Sequence, residues 1–204
     1  MHLKLISKLI PAALFVAAAV PACSQAPPAA RQGGLPIVVG AGMSDYSVDW
    51  GFGRRMVGVT VWADWLPDNF PGALRGLGIE AVGHAIDYDV PTGLSKMRQD
   101  TVLGGPIYSW HPYRGVRPYA KYVIGVGSID FPPFAGSPSW YSHDTFLVTA
   151  PAGGAEVHAW QHVWIRADYE YQFWHQTFGP HDLTPNGFTV GATYDFRPLG
   201  GGVR

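Results

Sequence analysis

One cysteine, Cys23, in a chain of 204 residues excludes an intramolecular disulfide whatever compartment the protein occupies. Charge is also scarce: charged side chains make up 14 % of the chain and the net charge is -1, so there is no basic face to grip a nucleic acid. A hydrophobic share of 47 % argues against disorder. Long apolar runs are missing as well. After the first residues no segment approaches the roughly 18 uninterrupted apolar residues of a membrane-spanning helix, and none has a convincing helical period. If this chain crosses a membrane, it does so as a closed sheet, the other fold that satisfies every backbone polar group in lipid.

Residues 1–26 have the layout of a cleaved secretory signal. Lys4 and Lys8 precede an apolar run from Leu9 to Val20, interrupted by Pro11, and small residues follow from Ala22 to Ala26. Val20-Pro21-Ala22-Cys23 loosely resembles a lipoprotein signal, which leaves the cleavage site and lipidation at Cys23 open. Residues 27–36, rich in Pro, Ala and Gly, read as a tether. Residues 37–197 suit one domain, and 198–204 form a short C-terminal tail.

Within that domain the dominant signal is a period of two. Val163, Ile165, Ala167, Tyr169, Tyr171 and Phe173 interleave with Trp164, Arg166, Asp168, Glu170 and Gln172. Phe188, Val190, Ala192, Tyr194 and Phe196 interleave with Thr189, Gly191, Thr193 and Asp195. Alternate residues of a strand face opposite sides, so each segment has one apolar and one polar face. In a soluble sheet the apolar face packs inward; in a membrane barrel it meets lipid and the charges line the bore.

Gly, Pro, Asn and Asp clusters divide the domain into eight extended segments, near Ile37–Trp50, Arg55–Leu66, Ala73–Tyr88, Arg98–His111, Val116–Phe131, Asp144–His158, His162–Trp174 and Gly187–Arg197. An even count permits a closed antiparallel barrel with both ends on one side. The fourth and sixth links, around Pro112–Gly115 and Ala159–Gln161, are tight, while the fifth, Pro132–His143, and the seventh, His175–Asn186, read as long outer loops. Trp65, Trp110, Tyr113, Trp160, Trp164 and Phe196 fall near one set of strand ends, and Trp50, Tyr88, Phe131, Trp140, Tyr141, Phe173 and Trp174 near the other. Two aromatic belts are expected of a membrane barrel. The expected fold is therefore all-β, an eight-stranded antiparallel up-and-down transmembrane β-barrel.

The leader, the eight segments and the final alternating strand ending in Tyr194 and Phe196 together resemble the small outer-membrane β-barrel proteins of Gram-negative bacteria, the group of the OmpA transmembrane domain and the OmpX and opacity-type barrels. Leu77–Ala81, Pro118–Tyr122 and Arg166–Tyr171 are similar to strands of that group. The resemblance implies a bacterial outer-membrane location, surrounding lipid and lipopolysaccharide, and assembly machinery that reads Phe188–Phe196. Arg197–Arg204 continues past the terminal aromatic, where many members stop.

With the apolar face toward lipid, Asp64, Glu80, Lys121, Glu156, Arg166, Asp168 and Glu170 fall in the bore as a polar network. Side chains fill a bore of eight strands, so this network reads as a plug. Trp140, Tyr141, His143, His175, Phe178 and His181 stand in the expected outer loops as possible contacts for a ligand or partner. His143, His175 and His181 with Asp144 and Asp182 offer metal-ligating types, but at no recognisable spacing, so neither metal nor cofactor is expected. Ser142-His143-Asp144 holds hydrolase residue types, yet neighbours on a strand point to opposite faces and form no relay. The expectation is a monomeric barrel with a structural or surface-interaction role and no enzymatic activity. A narrow channel for ions or small solutes is the alternative, followed by a secreted lipocalin-like binding barrel or a lipid A-modifying enzyme.

Overall fold

The computed structural model describes residues 35–48, 55–67, 70–88, 97–130, 143–178 and 181–197. The leader, the tether up to residue 34, the tail, Trp140 and Tyr141 lie outside these residues. Ten extended segments run in chain order: β1 Ile37–Ser47, β2 Arg55–Trp65, β3 Leu77–Tyr88, β4 Met97–Ser109, β5 Val116–Asp130, β6 His143–Trp160, β7 Val163–Tyr171, β8 Phe173–Phe178, β9 His181–Leu183 and β10 Asn186–Asp195.

Each strand pairs antiparallel with its neighbour, and the ring closes from β7 through β10 to β1, where Val38–Ser47 lie against Asn186–Asp195. β8 continues β7 past Gln172, and β9 leads into β10, so ten segments make eight barrel strands. The Gln172 N–H reaches the Pro185 carbonyl at 2.8 Å and ties the two interruptions together. The pairing does not close level. Followed from Asp45 through Val57, Asp87, Arg98 and Asp130, it reaches His143 at the start of β6; followed the other way through Phe188, it reaches Tyr169, which β6 meets only at Gly153. That stagger is the shear of a barrel whose strands are tilted.

The period of two resolves into inside and outside. Along β5, Arg117, Tyr119, Lys121 and Val123 are buried while Tyr122, Ile124 and Val126 are exposed. Val102 on β4 and Phe188 on β10 are 68 % and 59 % exposed, whereas Arg166 and Glu170 are 1 % and 0 % exposed. A soluble protein inverts that arrangement, because exposed apolar area on this scale drives association in water and buried charge is costly. The outward band ends in Trp65, Trp110 and Trp160 at the end where β1 begins and β10 ends, here called the near end. At the far end it gives way to the pairs Arg55–Asp45 and Arg98–Asp100 on one sector and to Tyr169 packed on Phe188 on the other.

Of the near-end links, the fourth and sixth are short. Tyr113 and Val116 exchange backbone hydrogen bonds of 2.8 and 3.0 Å around Arg114 and Gly115, whose φ values of 53° and 77° match the two-residue hairpin turn that suits strand twist.

The structure departs from the sequence expectations in four places. β3 starts at Leu77, because Gly72–Leu74 form a 3-10 turn in the second link. The seventh link is not a loop from His175: β8 and β9 carry the hairpin outward, so His175, Phe178 and His181 belong to strands. Trp164 and Trp174 leave the aromatic belts, since they share parity with Arg166 and point into the bore, 8 % and 0 % exposed. Finally, the bore is polar over only part of its length. Tyr46, Val48, Met56, Ile86, Leu103, Ile129, Val148, Trp174 and Leu183 pack together, filling its far end.

Two tryptophans are admitted by glycines opposite them. A Cβ on Gly40 would lie 2.4 Å from Cε2 of Trp62, and one on Gly127 would lie 2.3 Å from the Trp174 ring. Gly40→Val is expected to destabilise the barrel by about 1–3 kcal/mol through overpacking. The temperature at which the compact form is lost on a heat-modifiability gel measures it, and an unchanged temperature refutes the packing.

Candidate functional site: the bore

Inward positions of adjacent strands fall side by side, and that geometry builds the central cluster. Asp64 of β2 is opposite Glu80 of β3 in the ladder, and β7 delivers Arg166, Asp168 and Glu170 at every second residue. Arg166 is the hub. Its Nη1 lies 3.1 Å from Asp64, Nη2 donates to Glu80, and Nε donates to the Tyr119 hydroxyl at 2.7 Å and to Asp168 at 3.3 Å. Tyr119 in turn donates to Asp168 at 2.6 Å. The guanidinium also lies over the Tyr119 and Trp62 rings, 4.3 and 4.9 Å from their centroids. Lys121 donates to Glu80 at 2.6 Å and stands 3.6 Å from Glu170 and 3.9 Å from Asp168.

Two cations thus face four carboxylates inside the barrel. Each charge is paired, which is the condition for keeping charges out of water. Toward the far end Glu170 collects a second set of partners: Tyr46 and Gln172 donate to it at 3.1 and 2.8 Å, and His84 Nε2 lies 3.3 Å away. The other nitrogen of His84 is 2.8 Å from Thr60, which bonds Ser44, itself 2.8 Å from Thr189. Gln172 accepts from Trp174 at 2.9 Å and from Gln99 at 3.2 Å.

Thr60, His84 and Glu170 string a hydroxyl, an imidazole and a carboxylate together, the residue types of a nucleophilic relay. Thr60 is 2 % exposed and His84 5 %, and the chain of contacts links β1, β2, β3, β7 and β10.

Glu156 stands apart from the other six expected bore residues. It pairs with Arg117 at 2.7 Å, and Arg117 reaches Asp195 at 3.1 Å while lying 4.4 Å from the Trp164 ring centroid. Arg197 closes on Asp195 at 2.6 Å, making a second ionic cluster at the near end. Arg117, Tyr119, His84, Tyr46 and Asp195 were not among the residues expected from sequence, although counting by twos from Lys121 or Glu80 reaches the first three.

Of the expected loop contacts, His175 is partly buried on β8, 3.1 Å from Thr149 and 3.4 Å from Asp182. The side chains of His143, Phe178 and His181 lie outside the described residues. Among the described residues no three His, Cys, Asp or Glu side chains gather closely enough to hold a metal ion.

Comparison with known proteins gives the same architecture. The family described as outer membrane protein beta-barrel domain matches residues 15–196. No curated protein matches in sequence. Among solved structures, Neisserial surface protein A superposes with a TM-score of 0.64 at 13 % identity, over 80 % of this chain and 99 % of that one. Ail, the attachment invasion locus protein of Yersinia pestis, superposes at 0.51 and 18 % identity over 79 % of this chain and 97 % of its own. Its complex with the heparin analogue sucrose octasulfate superposes at 0.52 and 17 % identity, over the same shares.

Proposed function

Because the chain belongs to the outer-membrane β-barrel family, we propose that it is a closed scaffold of a bacterial outer membrane that works through the segments at its far end and not through its bore. The filled bore carries this reading. Among the described residues, the Arg166–Lys121 cluster, and above it a packed apolar layer that includes Met56, Ile86, Ile129 and Trp174, occupy the bore. In this reading the near end faces the periplasm, residues 1–26 are a cleaved export signal, and the barrel is a monomer without chemistry of its own. The apolar band is solvated by lipid and lipopolysaccharide, and Phe188–Phe196 is the strand offered to the assembly machinery. The names of Neisserial surface protein A and of the Yersinia attachment invasion locus protein suit a surface role; the likeness to them is one of fold.

Planar lipid bilayers test the proposal. The folded protein is expected to give no stable conductance steps, and reproducible open steps overturn it. Such steps would favour the second reading, a narrow ion path. The excess of carboxylates over cations in the central cluster makes cations its favoured passengers.

A further inference from the structure

The second link does not hang free below the barrel. The Leu74 and Arg75 N–H groups donate to the Pro71 and Gly72 carbonyls at 3.3 and 3.2 Å, and the Tyr108 hydroxyl donates to the Ala73 carbonyl at 2.8 Å. Tyr108 belongs to the outward set of β4, in register with Leu77 of β3, so this last bond pins the turn against the outer side of the wall. Gly76 makes the fold-back possible. At φ 106° it passes so close to β4 that a Cβ would collide with the Ser109 carbonyl, while the Ser109 N–H donates to the Gly76 carbonyl at 2.8 Å.

The shelf so formed carries two chemistries side by side. Leu74, Ile79 and Trp110 are all about half exposed, and Trp110 packs edge-on to Tyr108 with 5.0 Å between ring centroids. Arg75 is exposed beside them, and among the described residues no carboxylate pairs with it. The described carboxylates nearest this end, Asp64, Glu156 and Asp195, are buried and committed to Arg166, Arg117 and Arg197. A cation left without a partner calls for an anion. Leu74, Ile79 and Trp110 call for hydrocarbon, which a free anion does not bring. A zwitterionic headgroup brings an ammonium for which the shelf has no exposed carboxylate, and the Ala73 carbonyl is already taken by Tyr108.

We propose that this shelf is a headgroup site for an anionic phospholipid of the periplasmic leaflet. Arg75 pairs with the phosphate. Tyr108 and Trp110 lie along the glycerol and ester region, the level that amphipathic rings prefer, and Leu74 and Ile79 pack on the acyl chains. The site rests on the membrane orientation proposed above and adds a chosen lipid at one sector of the near end, beside β3 and β4. Arg114, at the tip of the fourth link, has its guanidinium 5.3 Å from the Tyr113 ring centroid and takes no part.

Contact quenching of Trp110 tests the site. The full chain is folded in phosphatidylcholine nanodiscs that hold the same small fraction of either phosphatidylglycerol or phosphatidylcholine brominated on its acyl chains. The emission lost on Trp110→Phe isolates the signal of Trp110. Brominated phosphatidylglycerol is expected to quench it with an apparent affinity about fivefold above that of brominated phosphatidylcholine, the worth of one arginine at an anionic surface. Arg75→Ala is expected to abolish the preference and Arg114→Ala to keep it, with a heat-modifiability gel confirming that both variants fold. Equal quenching by the two lipids in the unaltered protein overturns the site whatever the variants do, and leaves the membrane orientation standing. Quenching by neither lipid overturns both. A preference that survives Arg75→Ala, or falls as far with Arg114→Ala, belongs to the general field of the near end and likewise overturns the site.

Discussion

Arg166→Ala is expected to lower the stability of the folded barrel by about 3–5 kcal/mol, the usual penalty for removing one partner of a buried ion pair. The size follows from what the guanidinium leaves behind. Asp64, Glu80 and Asp168 each face it within 3.3 Å, and all three are buried. Without it Lys121 alone stands against four carboxylates. The companion variant Arg166→Met with Glu80→Gln removes one charge of each sign and is expected to regain much of the loss, since paired sites couple non-additively. Chemical denaturation in lipid vesicles, followed by tryptophan emission, measures both. A loss under about 1 kcal/mol for the single variant, the level of an exposed pair, would sink the account of the cluster as a brace.

Val61→Arg carries the next largest effect. Val61 lies midway along the outward face of β2, 47 % exposed, between Ala41 of β1 and Gly83 of β3. An arginine facing lipid near the bilayer midplane costs about 2–4 kcal/mol, against about 0–1 near the interface. Ser47→Arg, at the far end of β1 and outward as well, is therefore expected to be nearly neutral. If both substitutions prove harmless, the outward face of the barrel meets water and not hydrocarbon.

Both expectations rest on an orientation that alternation alone left ambiguous in the sequence. The strands themselves were legible: β2, β4, β5 and β7 begin within a residue of the segments marked by Gly, Pro, Asn and Asp clusters, because each crosses the band where one face must be apolar and the other not. Legibility failed where that contrast fails. Beyond the band the outward residues His175 and Asp182 are polar, so both looked like loop. In the far end the contrast reverses: Val48, Met56, Ile86 and Ile129 point inward beside Ser47, Arg55, Asp87 and Asp130, so apolar character no longer marked the outward face. Trp164 and Trp174 misled by chemistry: position near a strand end suggested a belt, while parity with Arg166 put them inside. The near-end ionic cluster is a gap of another kind. Nothing local to Arg117 announces Asp195, which meets it only because the ring closes.

That closure sets an order of events. β1 comes first in the chain, yet its outer edge has no partner until β10 arrives, since Val38–Ser47 pair with the final strand. Throughout that interval the growing sheet has two raw edges of unsatisfied amides and carbonyls, the kind of surface that recruits stray strands into aggregates. Until the last strand joins the first, both edges stay open.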